Sequence, residues 1–188
     1  SSAYTIPFAV RLKGALDVAA LEGALWDLVD RHESLRTVFP DRVGVPRQEV
    51  LAAGSVRVDL DVVEVSAAAL PAALHEASGR GFDLAVEPPL RAHLYAVVDG
   101  SGGPASSSQD RSQASGLDPV SQHASEHVPE HVLLLQLHHI AADGWSLSPL
   151  WRDVSRFYAA RRAGVAADVG ALPVQYADYT LWQQAVLG

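Results

Sequence analysis

The feature that most constrains the fold is an unbroken apolar run, "VLLLQL" at 132–137, followed directly by two histidines. A strand with one face in water alternates apolar and polar residues, whereas a strand covered on both faces is apolar throughout. The run therefore predicts a strand that is buried on both faces, inside a sheet that carries helices.

The other patterns alternate between strand and helix in irregular order. Asp17 is a suitable helix cap, Pro71 suits the first turn of a second helix, and Ser148–Pro149 suits the start of a third. We therefore expect an α+β fold, a two-layer α/β sandwich with helices packed on a mixed sheet. The predicted strands cover 4–14, 35–39, 47–51, 56–65 and 89–98, and the predicted helices run from Asp17 to about Arg31, from about Pro71 to Ser78, from Ser148 to Gly164 and over about 174–187.

Length and composition exclude several classes of protein. The 188 residues suit one domain, and the formal net charge of -8 argues against nucleic acid as a partner. No apolar run is long enough to span a membrane and no signal peptide is evident, so we expect a cytoplasmic protein. The absence of cysteine excludes disulfides, thiolate zinc sites and a cysteine nucleophile. The chain has no methionine and begins "SSAYTIPF", so we expect it to be part of a longer protein.

Residues 99–130 are rich in Ser, Gly, Gln and Pro and poor in apolar residues. Such a segment cannot bury enough surface to order itself, so we expect a mobile surface loop between two strands. His123, His127 and His131 recur every four residues, a spacing that would align metal ligands on a helix. Pro129 and the loop composition argue against that helix, so we predict no metal site.

The segment "HHIAADG" at 138–144 is the strongest candidate site. Sheets often place reactive groups at the ends of central strands, where a histidine can accept a proton near neutral pH. Asp143 can orient a histidine or pair with an arginine, and Gly144 permits a backbone shape or a close approach that a side chain would block. Adjacent strand residues point to opposite faces, so only one of His138 and His139 can serve a given cavity. The alternative is two core histidines that bond to backbone carbonyls.

Ser146 lies close to His139 and Asp143 in sequence, which suggests a hydrolase triad. The segment "GWSLS" lacks the second glycine of a nucleophile elbow, and a helix cap explains the serine as well.

A second dense patch, "DRHESLRTVF" at 30–39, carries Arg31, His32, Glu33 and Arg36. Mixed charge of this kind is ordinary at a solvated helix end. Arg36, however, falls within an apolar strand pattern, and a buried arginine needs a carboxylate. Asp143 is the predicted partner.

Three segments together resemble the condensation domains of nonribosomal peptide synthetases. "HHIAADGWS" matches the HHxxxDG signature, "RHESLRTVF" is similar to the second core motif, and "YADYTLW" is similar to the motif that follows the signature helix. The resemblance covers nearly the whole chain outside the loop. It implies a lobe like chloramphenicol acetyltransferase, with residues 1–188 as the N-terminal one of two lobes and the active site at their junction. The family's opening motif and everything after "LWQQAVLG" are missing from this chain.

The resemblance implies amide-bond formation. An acyl or peptidyl thioester on the phosphopantetheine of an upstream carrier domain is attacked by the amine of an aminoacyl thioester on a downstream carrier. The implied partners are both carrier domains, the C-terminal lobe and a neighbouring adenylation domain, and no cofactor binds the chain directly. By position, His139 is the catalytic histidine, as general base or as a hydrogen-bonding positioner of the amine. His138 and Asp143 would be structural supports, Asp143 through an arginine salt bridge, and Gly144 would lie beside the thioester carbonyl.

Two other functions stay open. Epimerisation domains share the signature, although Trp145–Ser146 fits condensation better than the valine usual in them. A docking or recruiting module would keep the fold without turnover, and its mark, loss of the second histidine or of the aspartate, is not seen here. Cyclisation domains replace the first histidine by aspartate, which the intact pair excludes. We expect the single lobe to fold but not to catalyse, because both lobes are needed to bring two carrier-bound groups together.

Overall fold

The computed structural model describes residues 4–98 and 128–187. None of the helices within these ranges combines the length and the apolar character needed to cross a membrane. The strands are β1 (Thr5–Lys13), β2 (Thr37–Val38), β3 (Asp41–Arg42), β4 (Val45–Pro46), β5 (Glu49–Val50), β6 (Val62–Ser66), β7 (Leu90–Val98) and β8 (Glu130–His138). The α-helices are α1 (Val18–Arg31), α2 (Leu70–Ser78), α3 (Leu147–Ala163) and α4 (Tyr176–Leu187).

Four strands form one mixed sheet in the order β1-β8-β7-β6. β8 pairs antiparallel with β1 on one edge and with β7 on the other, while β6 runs parallel to β7. The apolar run at 132–137 is buried along its whole length. The predicted strand buried on both faces and the predicted mixed sheet with helices are therefore confirmed.

Helices cover both faces of the sheet. α1 and α3 pack on the face that carries Leu133, Leu135 and Leu137, and this cluster forms the main core. α2 packs on the other face through Leu70, against Val132 and neighbouring residues. The expected two-layer arrangement therefore describes only part of the fold, because α2 adds a partial third layer. This layer covers the second apolar face of β8, which would otherwise be exposed to water.

The residues that the sequence predicts to begin or end a helix do so in the structure at three positions. Asp17 caps α1 by accepting the N–H of Ala20 at 2.9 Å, and α2 begins next to Pro71. Gly164 follows α3 with φ of 66°, the left-handed conformation that glycine adopts without cost. Each of these helix ends depends on a few consecutive residues, which is why the sequence predicts it.

Two predicted strands are wrong in part. The strand expected at 35–39 is a turn of 3-10 helix at Glu33–Arg36 that leads into the two-residue β2. The strand expected at 56–65 is regular only from Val62, although Val56, Val58 and Leu60 are buried as their alternation predicts. At Val58 and Leu60 the backbone bonds to side chains of α1: Trp26 Nε1 donates to the Val58 carbonyl at 3.0 Å, and Glu22 Oε1 accepts the N–H of Leu60 at 3.3 Å. Bonding to β7 begins at Asp61, whose carbonyl accepts the N–H of Leu94 at 3.3 Å. Of the loop predicted at 99–130, residues 99–127 lie outside the described residues, and Glu130 already belongs to β8.

One buried carboxylate joins α1 to α3. The side chain of Asp153 is 4% exposed, and its Oδ2 accepts from Arg31 Nε and from His32 Nε2, both at 2.9 Å. Burial lowers the pKa of His32 below its usual value, against the opposing hydrogen bond and charge of Asp153. His32 is therefore a neutral donor near pH 7, and Arg31 is the cation that balances the buried charge.

Asp153→Ala should reduce the free energy of unfolding by about 3–5 kcal/mol, because it removes the buried carboxylate with which the half-buried Arg31 pairs. Urea denaturation of the purified chain measures this. Asp27→Ala is the matched control, since Asp27 pairs with Arg161 on the surface, where such a pair contributes about 1 kcal/mol or less. Equal losses for the two variants would contradict the account.

Stability should also depend on the protonation of His32. The unfolded chain takes up this proton near pH 6.5, whereas the folded chain does so only at lower pH. As the pH falls through 6.5, the unfolded state gains the proton first, so the free energy of unfolding decreases. His32→Gln keeps an N–H donor for Asp153 but cannot titrate. Between about pH 7.5 and about pH 5.5 the variant should lose less stability than the wild type, and equal losses would refute the assignment.

Candidate functional site

The two histidines lie where β8 ends, and their backbone bonds go to opposite neighbours. His138 is the last residue of the strand and its N–H donates to the Pro89 carbonyl at 3.0 Å, just before β7. The N–H of His139 donates to the Tyr4 carbonyl at 2.8 Å, just before β1. The sheet therefore holds the backbone of both residues, although the apolar run ends at 137.

The two imidazoles have different surroundings. His138 is half-buried, with the rings of Tyr4 and Phe82 each centred 6.0 Å from its own. Its Nδ1 accepts the N–H of Ile140 at 3.1 Å. Burial lowers the pKa of His138, and the charge of the neighbouring His139 lowers it further. The side chain of His139 is exposed and bonds to no other group of the described residues. One histidine is thus held by its neighbours and the other is presented to solvent.

Asp143 and Ser146 bond reciprocally in the turn that leads into α3. Asp143 Oδ1 accepts the N–H of Ser146 at 2.9 Å and its hydroxyl at 2.6 Å, while the N–H of Asp143 points back to Ser146 Oγ at 3.3 Å. These bonds close the turn at 143–146, and Ser146 is itself the residue before the first turn of α3. These bonds lower the pKa of Asp143, first through the Ser146 hydroxyl and then through its N–H.

The predicted ion pair between Asp143 and Arg36 is wrong. Asp143 is exposed, and no salt bridge joins it to an arginine of the described residues. Arg36 is buried, but it pairs with Glu33 at 3.3 Å and donates to the carbonyl of Leu51. The 3-10 turn places Glu33 beside Arg36 on the same segment, so the buried arginine finds its carboxylate three residues away.

Gly144 is exposed and its φ lies outside the left-handed region. A Cβ placed on it would meet no atom within 4 Å. The backbone shape at this position therefore does not require glycine. The space beside it is open, which agrees with the other expectation for this residue, a close approach by another molecule.

Sequence reasoning missed four residues that hold the site or the helix after it. Asp153 lies on the inward face of α3 with Leu150, Val154 and Phe157, and this helical spacing was a usable signal. Phe82 and the carbonyls of Tyr4 and Pro89 carry no pattern that would identify them. Within the described residues, no group of three or more His, Asp or Glu side chains is arranged to hold a metal, and His123 and His127 lie outside those residues.

Comparison with known proteins identifies related sequences along the whole chain. The sequence profile of the family described as "Condensation domain" matches residues 1–101 and 121–188. The chain is 48% identical over 188 residues to the probable nonribosomal peptide synthetase CymA of Salinispora arenicola, covering 100% of this chain and 2% of that protein. It is 44% identical to the dimodular nonribosomal peptide synthase of Bacillus subtilis, covering 100% of this chain and 7% of that protein. The chain thus spans a small part of each relative.

Solved structures share the fold. The X-domain from teicoplanin biosynthesis superposes with a TM-score of 0.78 at 36% identity, covering 98% of this chain and 34% of that chain. The epimerization domain from the third module of tyrocidine synthetase B superposes with a TM-score of 0.69 at 18% identity, covering 95% of this chain and 35% of that one. The second likeness concerns the fold alone.

Asp143→Ala should lower the free energy of unfolding only slightly, because it removes the exposed acceptor of the turn that leads into α3. Asp143→Asn keeps the acceptor oxygen and should cost less. Asp59→Ala is the control, an exposed aspartate away from this loop that should change stability little. Chemical denaturation measures all three. A loss for Asp143→Ala as large as that for Asp153→Ala would instead indicate a buried ion pair of Asp143, which the described residues do not show.

Proposed function

The chain belongs to the condensation-domain family of nonribosomal peptide synthetases, and on this premise we propose that it is one lobe of an amide-forming domain. The donor is an acyl or peptidyl thioester and the acceptor is an aminoacyl group, each on the phosphopantetheine arm of a carrier domain. The observation that carries the proposal is the exposed imidazole of His139 on a fixed strand end, within an intact HHxxxDG motif.

The reaction needs one proton transfer. The amine nitrogen bonds to the thioester carbonyl carbon and the C–S bond breaks. The sulfur takes up the proton that the amine gives up and leaves as a thiol. His139 assists in one of two ways: it takes the amine proton and passes it to the sulfur, or it holds the amine against the carbonyl by a hydrogen bond. An exposed imidazole without a partner in the described residues suits both roles.

The neighbouring residues act on His139 indirectly. His138 shapes the turn through the Ile140 N–H, and Asp143 closes the next turn, which leads into α3. The open space at Gly144 gives the thioester room to approach the histidine. A site open on this side needs a second wall, and we assign that wall to a C-terminal lobe, because the chain covers 34% of the X-domain chain that it superposes on. Without that lobe two carrier arms are not brought into reactive geometry, so residues 1–188 alone should be inactive.

His139→Ala should reduce formation of the dipeptidyl thioester by about 10²–10⁴-fold in a two-lobed domain that contains this chain, because general acid–base assistance contributes that much. Its stability should be unchanged, since the side chain is exposed. His75→Ala is the matched control, an exposed histidine on α2 that should leave the rate as it is. Product thioester is measured by mass spectrometry with loaded donor and acceptor carriers.

Wild-type rates for His139→Ala would overturn the assignment. The pH dependence of the wild-type rate separates the two roles. A general base makes the rate fall at low pH as the imidazole takes up a proton, and this acid limb disappears from the residual rate of the variant. An acid limb of the same midpoint in both proteins would exclude the base role.

A second candidate function is a recruiting module without turnover. The observation that favours it is the likeness to the X-domain, which has been solved in complex with OxyB from teicoplanin biosynthesis. A recruiting module does not need the exposed histidine, whereas this chain retains both histidines and the aspartate. A two-lobed wild-type domain that binds a partner enzyme but forms no amide bond would favour this candidate. Interconversion of acceptor stereochemistry would instead indicate epimerisation.

A further inference from the structure

The connection between α2 and β7, residues 79–89, contacts His138 at two points. The carbonyl of Pro89 accepts the backbone N–H of His138 at 3.0 Å. The ring of Phe82 meets the imidazole edge to face, with the two centroids 6.0 Å apart and the planes at 89°. Aromatic pairs prefer this arrangement at this separation. Both the main chain and the side chain of His138 are therefore held by one connecting segment.

Arg91 fixes the ring of Phe82 in that position. Its guanidinium carbon lies 4.2 Å from the centre of the Phe82 ring, within the range of a cation–π contact. The same guanidinium donates to Glu87 at 2.6 Å and to the carbonyl of Gly81 at 3.0 Å. These bonds clasp the connection on itself, so that Phe82 has little freedom to turn away.

A buried amide anchors the start of the same connection. Gln136 is fully buried on β8, two residues before His138 and on the same face of the strand. Its Nε2 donates to the carbonyl of Ala77 at 2.7 Å near the end of α2, and its Oε1 accepts from His93 at 3.2 Å. The connection is thus tied to β8 at its start, through Gln136, and at its end, through Pro89.

The orientation of the His138 ring determines the turn that follows. Nδ1 accepts the N–H of Ile140, so Nδ1 carries no proton and the neutral ring holds its proton on Nε2. Burial favours that neutral form, as does the charge that His139 carries when protonated. Among the described residues, the Tyr4 phenol and the Arg91 guanidinium behind Phe82 also lie around this ring, and the charge of the chain's N-terminus lowers its pKa as well. A ring turned away from Ile140 would release the first bond of the turn that carries His139.

We propose that Phe82, clasped by Arg91, is a positioning residue for the histidine pair: it holds His138 in the orientation whose Nδ1 binds Ile140 and thereby presents His139. The structural part concerns the chain itself. The consequence for catalysis rests on the proposed function.

The structural part is tested by NMR on the ¹⁵N-labelled chain, reading the tautomer and the pH titration of His138. In the wild type, the Nε2-protonated form should dominate. Phe82→Leu should produce a mixture of tautomers and raise the pKa of His138 toward its usual value, because water reaches the ring. Phe8→Leu is the matched control: Phe8 is a half-buried phenylalanine that packs on Trp151 with centroids 5.4 Å apart, and its loss should leave His138 unchanged.

Two further variants keep the test decisive if Phe82→Leu unfolds. Phe82→Tyr keeps the aromatic ring and should retain the wild-type tautomer. Arg91→Lys keeps the charge but cannot bridge Glu87 and the Gly81 carbonyl, and it should shift His138 in the same direction as Phe82→Leu. An unchanged tautomer and titration of His138 in both Phe82→Leu and Arg91→Lys would overturn the proposal.

The catalytic part is read in the two-lobed domain. Phe82→Leu should lower kcat for amide formation by about tenfold and leave the KM for the carrier substrates unchanged, because the histidine is displaced and the substrate contacts are not. Phe82→Tyr should restore kcat. Unaltered kcat in Phe82→Leu, together with a shifted His138 tautomer, would refute the catalytic consequence. A wild-type domain that forms no amide bond would refute the proposed function and leave the NMR result as an independent finding.

Discussion

β8 is bonded along both edges, and these bonds continue past the end of its apolar run, to the Pro89 carbonyl on one side and the Tyr4 carbonyl on the other. Strand alternation then separates the two imidazoles, since consecutive side chains of a strand point to opposite faces of the sheet. His138 turns toward the face covered by α2 and its connection, where aromatic rings half-bury it. His139 comes after the last pair of the ladder and stays exposed. The two histidine side chains therefore have different surroundings, although they are adjacent in the sequence.

α3 links this strand end to the rest of the core. Its start follows the turn that Asp143 and Ser146 close, within the loop that follows His139. Its middle is fixed to α1 by the buried Asp153 carboxylate, which accepts from Arg31 and His32. The charged patch at 30–39, for which a solvated helix end was one interpretation of the sequence, is therefore at least half-buried at Arg31, His32, Glu33 and Arg36. A shift of α3 along the sheet would therefore disturb this turn or break the ion pair.

The sequence predicts those features of the fold that depend on interactions between residues close together in the chain. The cap at Asp17, the helix start at Pro71, the left-handed Gly164 and the doubly buried run at 132–137 all follow from short-range patterns. The partner of Arg36 was wrong because any carboxylate brought near by folding would satisfy the same requirement, and Glu33 was nearer than Asp143. Phe82 could not have been found, because its role arises from the packing of a connection with no periodic pattern. The family motifs predict the site residues, yet the contacts that hold them could be found only from the fold.

The central claim is that the strand end is held rigidly by its backbone, so that adjacent histidines keep different surroundings. Site-resolved amide hydrogen exchange of His138 and His139 tests it most directly. Both N–H groups should be protected as strongly as those in the interior of β8, because their bonds to Pro89 and Tyr4 open only when the sheet opens. Exchange of either amide at the rate of an exposed loop, while the interior of β8 stays protected, would show a frayed strand end and contradict the account.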